Sequence, residues 1–330
     1  MDQIISVLAS VVGGVAVSFL IYLGLNFVVS KSGKKNRDRL LPVVFLGPVF
    51  VLIAVFLIWP TFATIVQSFQ HYDQYGLETF GGVSNYVALF TTPSFLQTLL
   101  NNLLWIIVVP ALTVIIGLAV ATLADRLGPR REKAFKTIVF VPFAISGIAA
   151  GSIWQFVYYY SPPGQPQVGV LNAIWTGISH QNPVAWLQQN ALHANSFLIM
   201  AVVIWLNAGY AMVLLSAAIK GVPEETIEAA RIDGASERQT FFQVVAPQIR
   251  STIIAVGITV LITVMKIFDI VLAMTTSQFN TNVLGTEFYN QLFAFNNPGK
   301  ASAVVVILII AVIPVMIFQV KTYREQEALR

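Results

Sequence analysis

The stretch EAARIDGASERQTFFQVVAPQI, residues 228–249, carries three acidic and two basic side chains between two long apolar runs. Just upstream, Pro223 suits the first position of a helix, where its missing N–H is no loss. Glu224 and Glu225 follow where the helix dipole favours negative charge. The pattern predicts a helix over 223–233, closed by Gly234, which takes a left-handed conformation without a Cβ clash. Ser236 with Gln239 forms a capping box that starts a second helix, and Pro247 is expected to end the polar part. The prediction is a short helix, a sharp turn and another helix, set apart from the apolar runs on either side.

Those runs dominate the chain. Of 330 residues, 56% are hydrophobic and 10% charged, with mean hydropathy +0.75, whereas an ordinary soluble domain carries roughly 25% charged residues. Such a chain cannot cover a water-facing surface and belongs in a bilayer. About 20 apolar residues make a helix that crosses the hydrocarbon core. Seven stretches qualify, approximately 3–29, 40–69, 97–123, 137–160, 196–219, 251–275 and 301–320, so the fold class is an all-α polytopic membrane protein. The first stretch has no basic residue before it and is too long for a secretory signal, which makes it a retained span. Residues 1–39 are set apart as an accessory helix with a basic loop. Residues 40–330 form the core, with the polar helix–turn–helix at 220–250. There is no cysteine, which excludes disulfides, thiolate metal sites and thiol nucleophiles.

Lys and Arg set the orientation. Lys31, Lys34, Lys35, Arg37 and Arg39 form one cluster, and Arg126, Arg130, Arg131, Lys133 and Lys136 a second. Lys220, Arg231, Arg238 and Arg250 accompany the helix–turn–helix, and Lys321, Arg324 and Arg330 close the chain. All lie in alternate connections, while 70–96 and 161–195 contain neither residue type. The expected arrangement has the N-terminus outside and the C-terminus in the cytoplasm. The basic clusters are therefore topology signals, and a nucleic-acid role is set aside. Segment 161–195 is uncharged and rich in Pro, Gly, Gln and Asn, with Trp175 and Trp186 suited to headgroup depth.

Two physical readings fit the polar segment. Ala229 and Ala230 keep the helix surface shallow beside Glu228, which describes a docking knob; alternatively, an amphipathic helix rests on the bilayer surface. Acidic residues speak against the second, since interfacial helices usually carry Lys and Arg on their polar face.

EAARIDGA followed by VVAP resembles the EAA loop of binding-protein-dependent ABC importer permeases. That family's pattern is E-A-A, three residues, Gly, nine residues, then I-x-L-P. Glu228, Ala229, Ala230, Gly234 and Pro247 match it, with Val244 a conservative departure and Ala246 standing where leucine is usual. The likeness covers roughly residues 85–325. VSNYVALF, FLQTLLNNLLW, IVFVPFAISGIAAGSIWQFVYYY, VGVLNAIW and MKIFDIVLAMT are similar to successive segments of maltose-type permeases. The family's usual GGP after the sixth span is absent, and Ser277, Gln278 and Phe279 stand in that region.

The resemblance implies the type I ABC importer permease fold and a division of labour. Two permease subunits, here expected to be distinct chains, form the pathway. Two cytoplasmic ABC ATPase subunits bind ATP and Mg, each receiving an EAA loop through Glu228, Ala229, Ala230, Asp233, Gly234 and Pro247. An extracytoplasmic binding protein delivers a sugar, expected to be a disaccharide or oligosaccharide of the α-glucoside kind. The site of action is a bacterial or archaeal cytoplasmic membrane, with lipid around the spans. The chain itself lacks the phosphate-cradling G-x-x-x-x-G-K-[ST] loop, the nearest string being FNNPGKAS, so no cofactor is assigned to it.

Ionisable groups inside a membrane are functional candidates by default. Lys266 and Asp269, three residues apart, would be neighbours on one face of the sixth helix, continuing Thr259 and Thr263, with the Phe268 ring nearby. They either contact sugar, neutralise each other or close a gate. In the fifth span, Asn207 and Tyr210 match a region that lines the substrate cavity in maltose-type permeases; their competing role is interhelical hydrogen bonding. The Gly and Ala residues of GIAAGS, 147–152, are read as packing positions. An ion-coupled secondary transporter is the alternative function, but one Lys–Asp pair and no internal repeat fit it poorly. A membrane enzyme fits no better, because His71, His180 and His193 all fall in outer loops and no H-E-x-x-H is present.

Overall fold

The structure, a computed structural model, describes residues 2–31, 34–72 and 78–328; Arg330, counted above among the basic residues, lies outside them. Packing divides the chain into Met1–Phe69 and Gln70–Arg330.

In the first unit, α1 (Asp2–Ser30) and α2 (Lys34–Ile53) form a hairpin in which the Tyr22 and Phe45 rings meet at 5.8 Å. The second helix continues through a π turn, Ala54–Ile58, into α3 (Trp59–Gln67). It packs with α1 within this unit.

The second unit opens with a ribbon of β1 (Gln70–Tyr72) and β2 (Glu78–Phe80), antiparallel with Gln70 opposite Phe80. Then come α4 (Ser84–Phe90), α5 (Pro93–Ala124), α6 (Pro129–Phe140), α7 (Gly147–Val157), α8 (Val170–Ser179) and α9 (Ala194–Lys220). The polar segment supplies α10 (Glu224–Ile232), α11 (Glu237–Thr240) and α12 (Ala246–Gln248). The chain closes with α13 (Arg250–Met265), α14 (Asp269–Thr275), α15 (Leu284–Tyr289) and α16 (Pro298–Ala328).

Helices α5 and α9 are its axis. Trp105 and Val109 pack on Ile199 and Met200, and Ala121 packs on Met212 and Leu215, so the two run parallel. A Cβ on Gly117 would lie 2.5 Å from that of Ala211; small residues let the backbones close, as in other membrane helix pairs. Val256 joins the Ala121 end of this core and Val264 the Trp105 end, which makes α13 antiparallel to both. Apolar side chains such as Leu103, Ile107, Ile115 and Ile317 face outward, as a lipid-facing surface requires.

Among the described residues, four helices are long and apolar enough to cross a membrane: Val44–Gln67, Pro93–Ala124, Ala191–Lys220 and Pro298–Thr322. Two bent pairs bring the number to six, while the apolar part of α1, Val12–Phe27, is shorter. The expected straight spans at 137–160 and 251–275 are corrected here. The first bends by 103° between α6 and α7. Pro142 lies in the 3-10 turn Val141–Ala144, Ile145 and Ser146 are extended, and the Ser146 hydroxyl accepts from Ala149 N at 3.3 Å to start α7. The second is interrupted at 266–268, where Phe268 takes φ −149° and ψ −60°. Segment 161–195 is organised by buried Asn172, which donates to the carbonyls of Tyr159 and Val184 and accepts from the indole N–H of Trp186 at 2.9 Å. Trp175 meets Trp186 edge-on.

Candidate coupling and substrate sites

The polar segment folds as two capped helices. Pro223 is extended (ψ 130°) and stands just before α10 rather than inside it. At the other end, Gly234 takes φ +83°. Its N–H donates to Arg231 O at 3.1 Å, and the Ala235 N–H donates to Ala230 O at 3.0 Å. These two bonds close α10 in the Schellman geometry that a left-handed residue permits. Ser236 and Gln239 then exchange the two bonds of a capping box at the start of α11. Pro247 does not end the segment: it sits in α12 at a position that needs no N–H, and the chain turns by 70° at Ile249 (φ −91°, ψ 7°).

The knob is anchored rather than free. Val222, Val245 and Ile249 are buried together, with Ile227 and Phe241 against them and Ile219 of α9 and Ile253 of α13 beneath. Its outer surface presents Glu228, Ala229 and Asp233, and two large apolar side chains, Ile232 at 86% and Phe242 at 60% exposure. An Arg231–Glu237 ion pair at 3.1 Å ties α10 to α11 across the turn.

Beside the knob, four charges taken above only as topology signals or not singled out converge. Lys136 of α6 lies 3.2 Å from Asp125, which caps α5, and 2.5 Å from Glu132. Lys220, the last residue of α9, pairs with Glu132 and stands 3.8 Å from Asp125. The buried Ser216 hydroxyl donates to Asp125 Oδ1 at 3.0 Å and accepts from Lys136. The cluster clamps the ends of α5, α6 and α9 immediately before the chain enters the knob.

The substrate candidates fall in two places. Asn207 is half-buried on α9 and donates to Val203 O of its own helix at 2.8 Å; Tyr210 stacks on Phe143 with centroids 5.2 Å apart and planes at 15°. Thr263 and Lys266 are exposed at the end of α13, and Phe268 packs on Tyr289 at 5.4 Å. The shared helical face for Lys266 and Asp269 is lost because the helix breaks between them. No ion pair joins them among the described residues. Instead Asp269 lies at the start of α7: a Cβ on Gly147 would be 2.2 Å from its carboxylate oxygen. A helix N-terminus favours that charge, and only glycine leaves room for it. Gly151 meets Ala273 and Met274 of α14 in the same contact.

Sequence reading passed over the amides. Asn101, Asn102 and Asn195 are buried. Asn101 Nδ2 donates to the carbonyls of Asn280 (2.6 Å) and Asn282 (2.8 Å), Asn102 accepts from Leu284 N (2.7 Å), and Asn195 donates to Phe279 O (2.7 Å). Polar residues inside apolar runs were the available signal.

A polytopic helical bundle bearing an exposed, charged helix–turn–helix at one end has the build of the membrane subunit of a transporter. Residues 39–324 match the profile of the binding-protein-dependent transport system inner membrane components, and the chain belongs to that family. It is thus a multi-pass inner-membrane permease subunit and not an enzyme. It is 41% identical over 287 residues to the osmoprotective compounds uptake permease GgtC of Synechocystis, covering 87% of this chain and all of that one. To the α-glucoside transport system permease AglF of Rhizobium meliloti it is 36% identical, with 97% of each chain covered. Among solved structures, the fold matches a chain of a bacterial ABC transporter that imports the acidic polysaccharide alginate: TM-score 0.70, 22% identity, 87% of this chain and 96% of that one.

Proposed function

We propose that this chain forms half of the translocation pathway of an ATP-driven importer for a neutral disaccharide or oligosaccharide of the α-glucoside kind. The observation that carries the coupling role is the knob: a Schellman-capped helix and a capping-box helix, anchored on α9 and α13, presenting Glu228, Ala229, Ile232 and Phe242 outward. Such an element transmits force without melting, as a lever against a nucleotide-driven partner must. The alternation of basic loops supports a cytoplasmic knob and C-terminus, an external N-terminus, and seven spans with α1 as the accessory one. ATP and Mg belong to two cytoplasmic ATPase subunits, a second permease chain completes the pathway, and an external binding protein delivers the sugar. The sugar class rests on the likeness to the α-glucoside permease along 97% of the chain; Asn207, Tyr210, Thr263, Lys266, Phe268 and Asp269 are the proposed contacts.

Gly234→Val places a β-branched residue at φ +83°, which costs about 1–2 kcal/mol and displaces α11. Glu228→Lys inverts the charge on the docking face. Each is expected to cut binding-protein-dependent sugar uptake at least tenfold while membrane insertion stays normal. Wild-type uptake in both variants would remove the coupling role.

A further inference from the structure

The end of the bundle away from the knob holds a cavity of about 760 Å³ that neither the knob nor the proposed path uses. Its walls come from the start of α5, the segment 277–282, α15 with the turn after it, and the start of α16. The polar groups there are organised. Glu287, 9% exposed, accepts from Gln291 Nε2 at 2.8 Å and from the amide of Asn282. Asn282 also reaches Thr98 at 3.2 Å, and Asn290 donates to Ser277 at 2.9 Å. The Lys300 ammonium has no ion-pair partner among the described residues. Phe279 and Phe295, 40% and 66% exposed, present their rings at the rim.

The rim is strained. Thr276, Ser277, Phe279 and Asn280 all take positive φ, between 49° and 61°, and Asn296 does so at 49°. For Thr276, Ser277 and Phe279 each costs on the order of 1–2 kcal/mol; asparagine tolerates the left-handed region more readily. Such conformations persist only where the surroundings over-determine them, and they cluster at ligand sites. Here Asn101 and Asn195 supply the determination, holding the carbonyls of 279, 280 and 282.

Amide and hydroxyl walls, one carboxylate, one ammonium and two phenyl rings suit a polyhydroxylated neutral ring. Its hydroxyls donate to the carboxylate and carbonyls and accept from the amides and Lys300, while its C–H face lies on an aromatic ring. The volume falls within the roughly 300–1,000 Å³ of small-molecule sites. An acyl chain would strand the amides, and a polyanion would face Glu287. We propose that this cavity is an entry subsite for a neutral saccharide, distinct from the proposed contacts at Asn207, Tyr210, Thr263, Lys266, Phe268 and Asp269; the ligand class rests on the sugar reading above.

The test uses the assembled transporter in lipid nanodiscs with maltose, sucrose and trehalose as probes. Saturation-transfer NMR titration measures direct binding without the binding protein, and binding-protein-dependent uptake is measured in parallel. Lys300→Met and Phe295→Ala alter exposed or half-buried rim groups and are expected to leave Tm unchanged while weakening sugar binding at least fivefold. Sugar binding unaffected by both variants overturns the subsite and leaves the importer reading standing, as does a transporter that imports a sugar it does not bind directly. Intact sugar binding with reduced stimulation by the binding protein makes the cavity a protein-docking surface and also overturns the proposal. Should wild type neither bind nor import any probe, the sugar reading fails and the subsite with it.

Discussion

At the knob end of the second unit, Asp125, Glu132, Lys136 and Lys220 tie three helices together through ion pairs. At the opposite end, Asn101 and Asn102 of α5 and Asn195 of α9 do the corresponding work with neutral amides. The difference follows from what each end must hold. Helix termini close to water can use charge, because opposite charges lie within reach and solvent screens the remainder. A run of irregular backbone beside a membrane core exposes carbonyls that only a donor can satisfy, and an amide supplies that donor without the desolvation cost of an ion. Charge thus fixes helix ends to one another, whereas amides fix loop backbone to helices.

Asn101→Leu breaks this contrast most severely. It removes two donors from the carbonyls of Asn280 and Asn282, at 2.6 and 2.8 Å, and an unsatisfied buried group costs about 1–3 kcal/mol. A loss of about 2–4 kcal/mol is expected, read as a fall in Tm of the purified protein. Asn101→Asp should not rescue it, because an ionised carboxylate has no donor. A variant as stable as wild type would mean that the 276–282 backbone holds its strained form unaided.

How much of this was readable beforehand depends on the range of the interaction. The knob was legible almost residue by residue, since caps, dipole and glycine act within a few positions; only the places of Pro223 and Pro247 were misjudged. The bend at 141–146 and the break at 266–268 were not, because hydropathy records apolar length and is blind to direction. Lys266 and Asp269 were assigned a common face by periodicity, and that inference fails once the helix breaks between them. The amide end was out of reach: Asn101 finds its partners 179 and 181 positions away, and nothing in NNLLW names them.

The charged end yields the next prediction. Lys136 is 19% exposed and Lys220 53%, though both meet Asp125 and Glu132. Lys136→Met removes the inner ammonium, leaving two carboxylates and Ser216 without their shared donor, and is expected to cost about 2 kcal/mol. Lys220→Met loses a more hydrated partner and should cost less than half as much. Equal losses in a thermal-shift series would show that burial does not rank these pairs. Raising salt should narrow the gap between wild type and Lys220→Met more than the gap for Lys136→Met, since exposed pairs are screened first.

The smallest effect belongs to the knob itself. Arg231 and Glu237 bridge the turn at 3.1 Å, but their side chains are 54% and 65% exposed, and such pairs contribute about 0–1 kcal/mol. The turn is already determined by the Gly234 cap and the Ser236–Gln239 box, so Glu237→Ala should leave Tm within a degree of wild type. Uptake is the sharper readout. If the pair serves only to hold α10 against α11, Glu237→Ala also leaves uptake unchanged, because the caps suffice. A large fall in uptake at constant Tm would instead mean that Arg231 or Glu237 meets the coupling partner directly, extending the docking face beyond Glu228 and across the turn to α11.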